Sequence, residues 1–87
     1  PMDEIDAMKA RLVRAIATEA TGADIVSFMS IFDERLVDSF SGVNVEQLEA
    51  FFASDPILQQ ATKLPRFKEV MQEIVEVLEE LPAPAVN

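Results

Sequence analysis

The chain has 87 residues, 49% of them apolar, and seven basic against sixteen acidic side chains give a net charge of −9. That is one small domain with ample apolar content for a core, near the lower end of what folds unaided. It contains neither cysteine nor histidine, which excludes disulfides, thiolate or imidazole metal sites, cysteine nucleophiles and the usual general base.

The chain therefore reads as non-enzymatic. A carboxylate-only metal site remains open, but no Asp-x-Asp-x-Asp-Gly calcium loop occurs. No apolar run approaches the roughly 20 residues of a membrane span, and no basic segment followed by an apolar one opens the chain. A cytoplasmic location is the expectation, with Met2 as natural start and Pro1 as a remnant ahead of it. The acidic balance repels nucleic acid and anionic membrane and attracts basic protein patches. It also suits plain solubility.

From Asp3 to Ala20, Ile5, Met8, Leu12 and Ile16 recur at spacings of three and four, the stripe of an amphipathic helix. Asp3, Glu4 and Asp6 fall where the helix dipole favours anions, and Thr21-Gly22 is the expected stop. Asp24 to Val37 is apolar on more than one helical face, through Ile25, Val26, Phe28, Met29, Ile31, Phe32, Leu36 and Val37. It fits a buried helix or a long loop pinned to the core, and periodicity does not separate the two.

A second helix is predicted over Ser39 to Ala53, using Phe40, Val43, Leu48, Phe51 and Phe52. Gly42 weakens its first turn by about 1 kcal/mol relative to alanine. Ser54-Asp55-Pro56 ends it, and Ile57 to Thr62 forms a short helix. Pro65 starts the last helix, whose stripe runs through Phe67, Val70, Met71, Ile74, Val77, Leu78 and Leu81. Arg66 and Lys68 near its start and Glu76, Glu79 and Glu80 near its end run against the dipole, as on a solvated acidic face. Pro82-Ala83-Pro84-Ala85 stops it. The expected fold is all-α over residues 3–81, a bundle of three substantial helices and one short one, with 82–87 as tail or linker.

The run Ile31-Phe-Asp-Glu-Arg-Leu-Val-Asp38-Ser39-Phe40 resembles the modification site of acyl and peptidyl carrier proteins. There an apolar-acidic segment leads through Leu-x-Asp-Ser to Leu, Met or Phe. The layout is similar over essentially Asp3 to Leu81, although only the Asp38-Ser39-Phe40 region carries a motif. The chain differs from many family members at Arg35 and Leu36, where glycine is frequent, and in Ser41-Gly42 after the serine. The resemblance implies a four-helix carrier fold in which Asp24 to Val37 is a long first loop. Phe28, Ile31, Phe32 and Leu36 would anchor that loop, and Ser39 would head the second helix.

It further implies that a phosphopantetheinyl transferase attaches 4'-phosphopantetheine from coenzyme A to Ser39. Asp38 would orient the site and Phe40 would pack the helix start. The arm would supply the thiol that a cysteine-free chain lacks, with its phosphodiester at a helix N-terminus. Asp38, Glu46 and Glu49 would then meet basic patches on acyl- or aminoacyl-loading and condensing enzymes, the carrier itself being a monomer that binds neither nucleic acid nor membrane. Glu46 and Glu49 are equally consistent with exposed positions of an ordinary helix, and Phe40, Phe51 and Phe52 with core.

A different class of function fits the same residues. A small acidic docking or adaptor module would bind another protein through an apolar groove or by dimerising, with Asp24 to Phe40 as one buried helix. An acidic inhibitor mimicking nucleic acid would need one continuous carboxylate stripe. Lys9, Arg11, Arg14, Arg35, Lys63, Arg66 and Lys68 interrupt it.

Overall fold

The computed structural model describes residues 3–32 and 42–80. Among them four α-helices and one 3-10 helix follow one another and no strand occurs, so the all-α expectation holds.

Helix α1 spans Glu4–Ala17. Asp3 caps it, its carboxylate accepting the Asp6 N–H at 2.8 Å, which satisfies one of the orphan donors of the first turn. The helix ends three residues before the expected Ala20, because the Thr18 backbone N–H and hydroxyl both turn back to donate to the Ala15 carbonyl. Leu12 and Ile16 are buried, but Ile5 is 59% exposed and does not join the core stripe.

Thr21-Gly22 is a start rather than the predicted stop. The Thr21 hydroxyl accepts the Asp24 N–H at 3.1 Å while the Asp24 carboxylate accepts the Thr21 N–H at 2.9 Å. This reciprocal pair has the logic of a capping box. It opens α2, Gly22–Phe32, so residues 24–32 are helical and not the first part of a long loop. Ile25, Val26 and Met29 form its buried face and Phe28 is half-buried. Ile31 is 74% exposed, which corrects its expected role as an anchor. It lies about 200° around the helix from Met29.

Helix α3 spans Val45–Ser54 and begins six positions after Ser39, not at it. Gly42 takes a positive φ of 77°, outside helical geometry, and Asn44 builds the cap. Its side chain accepts the Gln47 N–H at 2.8 Å while the Gln47 side chain accepts the Asn44 N–H at 3.0 Å. The end falls at Ser54 with Asp55 as C-cap, close to where Ser54-Asp55-Pro56 placed it. A 3-10 helix, Leu58–Lys63, takes the place of the predicted short helix. Helix α4 spans Phe67–Glu80, after a turn in which the Phe67 N–H donates to the Leu64 carbonyl at 3.0 Å.

The apolar stripe of α4 is the centre of the core. Val70, Met71 and Ile74 are fully buried, α2 and α3 pack against this helix, and α1 lies across α2 and the 3-10 helix. Phe52 of α3 meets Phe67 of α4 edge to face with ring centroids 5.7 Å apart, a favoured aromatic geometry. Phe52 is thus core, as expected, and Phe51 is half-buried beside it.

Arg66 explains the reversed charge at the head of α4. Its guanidinium donates to the carbonyls of Ile16 at 3.2 Å and Ala20 at 2.9 Å, and also to that of Thr18. The cation thus serves the negative end of α1, and its planar fork spans three acceptors. Leu36, Val37 and the 82–87 tail lie outside the described residues.

Candidate functional site

Asp38, Ser39 and Phe40 lie outside the described residues. The other two predicted site residues, Glu46 and Glu49, sit one turn apart on α3, Glu46 exposed and Glu49 half-buried. Helical spacing puts them on one face with Ala50 and Ala53.

That face forms one wall of an open cleft of about 520 Å³. Glu49, Ala50 and Ala53 line it from α3. The facing wall is the corner between the 3-10 helix and α4, where Leu64, Pro65 and Phe67 supply apolar surface and Lys68 stands at the rim. Thr62 also borders the cleft, its hydroxyl turned to donate to the Gln59 carbonyl at 2.6 Å. Phe67 is only 4% exposed, and the rings of Phe67, Phe52 and Phe51 run back from it into the core. The cleft thus has a floor backed by packed aromatic side chains. Its volume lies within the range of natural ligand and anchor pockets, and its lining of apolar groups with a few polar ones is theirs as well. Among the described residues neither Glu49 nor Lys68 makes an ion pair, so both charges remain available to an occupant.

The sequence singles out Glu49 as a carrier-type partner contact and not as the wall of a cleft, and it raises no such expectation for Ala50, Ala53, Leu64, Pro65 and Lys68. Their only signal was small residues beside Glu49 on α3 and a proline after the short helix, and both patterns are common on helical surfaces.

A second polar constellation is structural. Lys9 Nζ lies 2.5 Å from Asp55 Oδ2, while Asp55 Oδ1 accepts the N–H groups of Ile57 at 2.8 Å and Leu58 at 3.1 Å. Burial pushes the Asp55 carboxyl up. The Lys9 ammonium and the two backbone N–H groups outweigh it and hold the carboxyl below the ordinary aspartate range. The hydrogen bond to Asp55 raises Lys9 in turn. One carboxylate thereby joins α1 to the start of the 3-10 helix, which forms one side of the cleft. Asp24 is held low chiefly by its hydrogen bonds from Thr21, consistent with its part in the α2 cap.

Among the described residues no group of three or more acidic side chains could hold a metal ion, and no helix is long and apolar enough to cross a membrane. Compared with known protein families, curated proteins and solved structures, the chain has no significant match.

Proposed function

We propose that this chain is a non-catalytic docking module that binds a segment of another protein in the cleft between α3 and the Leu64–Lys68 corner. The observation that carries the reading is the cleft itself, an open apolar hollow with a buried aromatic floor and, on its walls, two charges that make no ion pair among the described residues. The absence of histidine and cysteine supports a binding role over a chemical one. Selecting randomised peptides on the immobilised full chain tests it. Peptides are expected to be enriched on the wild type and lost on Ala53→Trp, which fills the cleft from an exposed position. Equal recovery on both proteins removes the reading.

The carrier function is a second proposal, favoured by the Leu36-Val37-Asp38-Ser39-Phe40 motif. In that reading Ser39 bears 4'-phosphopantetheine with Asp38 and Phe40 beside it, and basic client enzymes read Glu46 and Glu49. It ranks second because residues 24–32 are helical where the carrier layout has loop, and because the helix bearing Glu46 and Glu49 starts at Val45. Incubation with coenzyme A and a promiscuous phosphopantetheinyl transferase, read by intact mass, decides it. A mass gain in wild type that Ser39→Ala abolishes supports the carrier, and no gain with transferases of several pathway types ends it.

A further inference from the structure

The cleft carries a charge register. Glu49 projects from α3 and Lys68 from the first turn of α4, so an acid and a base stand on different walls of one apolar hollow. Glu46 extends the acidic side by one turn, and none of the three makes an ion pair among the described residues. Between them the α3 wall is floored by alanines, and Ala50 and Ala53 are exposed. A bulky side chain can therefore approach the Phe67 floor past the small Ala50 and Ala53 without displacing another described side chain.

The mode of recognition is restricted by what the molecule presents. Among the described residues there is no strand, hence no sheet edge on which a partner could add a strand. Among the described residues the only aromatic ring lining the cleft is Phe67, almost wholly covered, so these residues offer no aromatic-lined track for an extended proline-rich segment. A helix laid in a groove between helices remains, anchored by apolar residues at helical spacing.

We infer that the occupant is an amphipathic helix of a partner protein whose apolar anchor is flanked by opposite charges, basic over Glu46 and Glu49 and acidic over Lys68. This rests on the docking reading above and adds the chemistry of the partner to it. The opposed charges fix the direction in which the helix lies, because reversing it sets like charges face to face, which disfavours the wrong register.

The test selects randomised helical peptides in parallel on the full chain as wild type, Glu49→Lys and Lys68→Glu. Both changes lie outside the core, and thermal melts confirm that the variants fold. Wild type is expected to enrich peptides with an apolar anchor, a Lys or Arg on one side and an Asp or Glu on the other. Glu49→Lys is expected to replace the basic flank by an acidic one, and Lys68→Glu the acidic flank by a basic one. A wild-type peptide should lose about three- to tenfold in affinity on either variant, as for partly exposed charge pairs. Peptides that need an open Ala53 but show no flanking charges, or the same flanks on all three proteins, overturn this inference and leave the docking reading standing. No peptide sensitive to Ala53→Trp overturns both. A dimer seen by light scattering and abolished by Ala53→Trp makes a second copy the occupant and overturns the inference as well.

Discussion

The Gly22 N–H donates to the Glu73 carboxylate at 3.2 Å, and this contact between α2 and α4 leaves no room for a side chain at position 22. A Cβ there would lie 2.4 Å from the Glu73 Cβ and 2.6 Å and 2.8 Å from the backbone of Glu73 and Ile74. The opposing atoms belong largely to the helix itself, so relief requires α2 to back away from the stripe that centres the core. Gly22→Ala is therefore expected to destabilise by about 1–3 kcal/mol, despite the better helix propensity of alanine. For a domain of this size that lowers the melting temperature by roughly 4–8 °C per kcal/mol. An unchanged or raised melting temperature would contradict the close packing of α2 on α4.

The Asp55–Lys9 pair has a pH signature. The folded-state pKa of Asp55 lies below its ordinary value, so its contribution is present above about pH 4 and is lost as pH falls through the depressed folded value. The folded-state pKa of Lys9 is raised, so its contribution is complete below about pH 10.4 and fades as pH rises through the raised value. Asp55→Asn keeps an acceptor for the Ile57 and Leu58 N–H groups but removes the charge. Wild type is expected to exceed this variant by about 1–2 kcal/mol near neutrality, measured by urea unfolding. The gap should narrow at both ends of the pH range. Asp24 titrates in both proteins, so the difference between them isolates Asp55. A gap independent of pH would show that the ion pair contributes nothing.

Arg66 ties the turn before α4 to the end of α1. Arg66→Ala leaves the carbonyls of Ile16, Thr18 and Ala20 without their common donor, at an expected cost of about 2–3 kcal/mol. Arg66→Lys keeps the charge but offers no planar fork, so it should recover less than half of that loss. Equal stability of the lysine variant and wild type would show that charge alone matters. Amide exchange offers a second measure, with faster exchange expected in the last turn of α1.

The stripe of α4, the stop at Ser54-Asp55 and the short helix were legible because each rests on local periodicity or short-range backbone preference. Residues 24–32 were not, since apolar residues on several faces describe a buried helix and a pinned loop equally well. What decides for helix is the Thr21–Asp24 cap and the packing of Gly22 on Glu73, a contact 51 residues away along the chain. The cleft was not legible, since Glu49 stood out only as a partner contact implied by a family resemblance. Its other wall is a turn whose partners are set by tertiary packing, and nothing in Leu64-Pro65 announces which helix it will face. The reversed charge of Arg66 likewise took its meaning from a different helix.

Where α3 begins can be tested by the sign of one substitution. Had the helix run from Ser39 to Ala53, Gly42 would lie inside it, and Gly42→Ala would stabilise by about 1 kcal/mol through helix propensity. With α3 starting at Val45 and Gly42 at φ 77°, the same change forces alanine into the left-handed region at a cost of about 1–2 kcal/mol. Among the described residues no atom beyond the chain neighbours lies within 4 Å of the added Cβ, so their packing does not blur the result. Asn44→Ala is the companion, expected to cost about 1 kcal/mol as the capping box is lost. Destabilisation by both fits a helix capped at Asn44, with Glu46 and Glu49 in its first turns and Glu49 lining the cleft. A stabilising Gly42→Ala would move the helix start toward Ser39 and restore the carrier reading to first place.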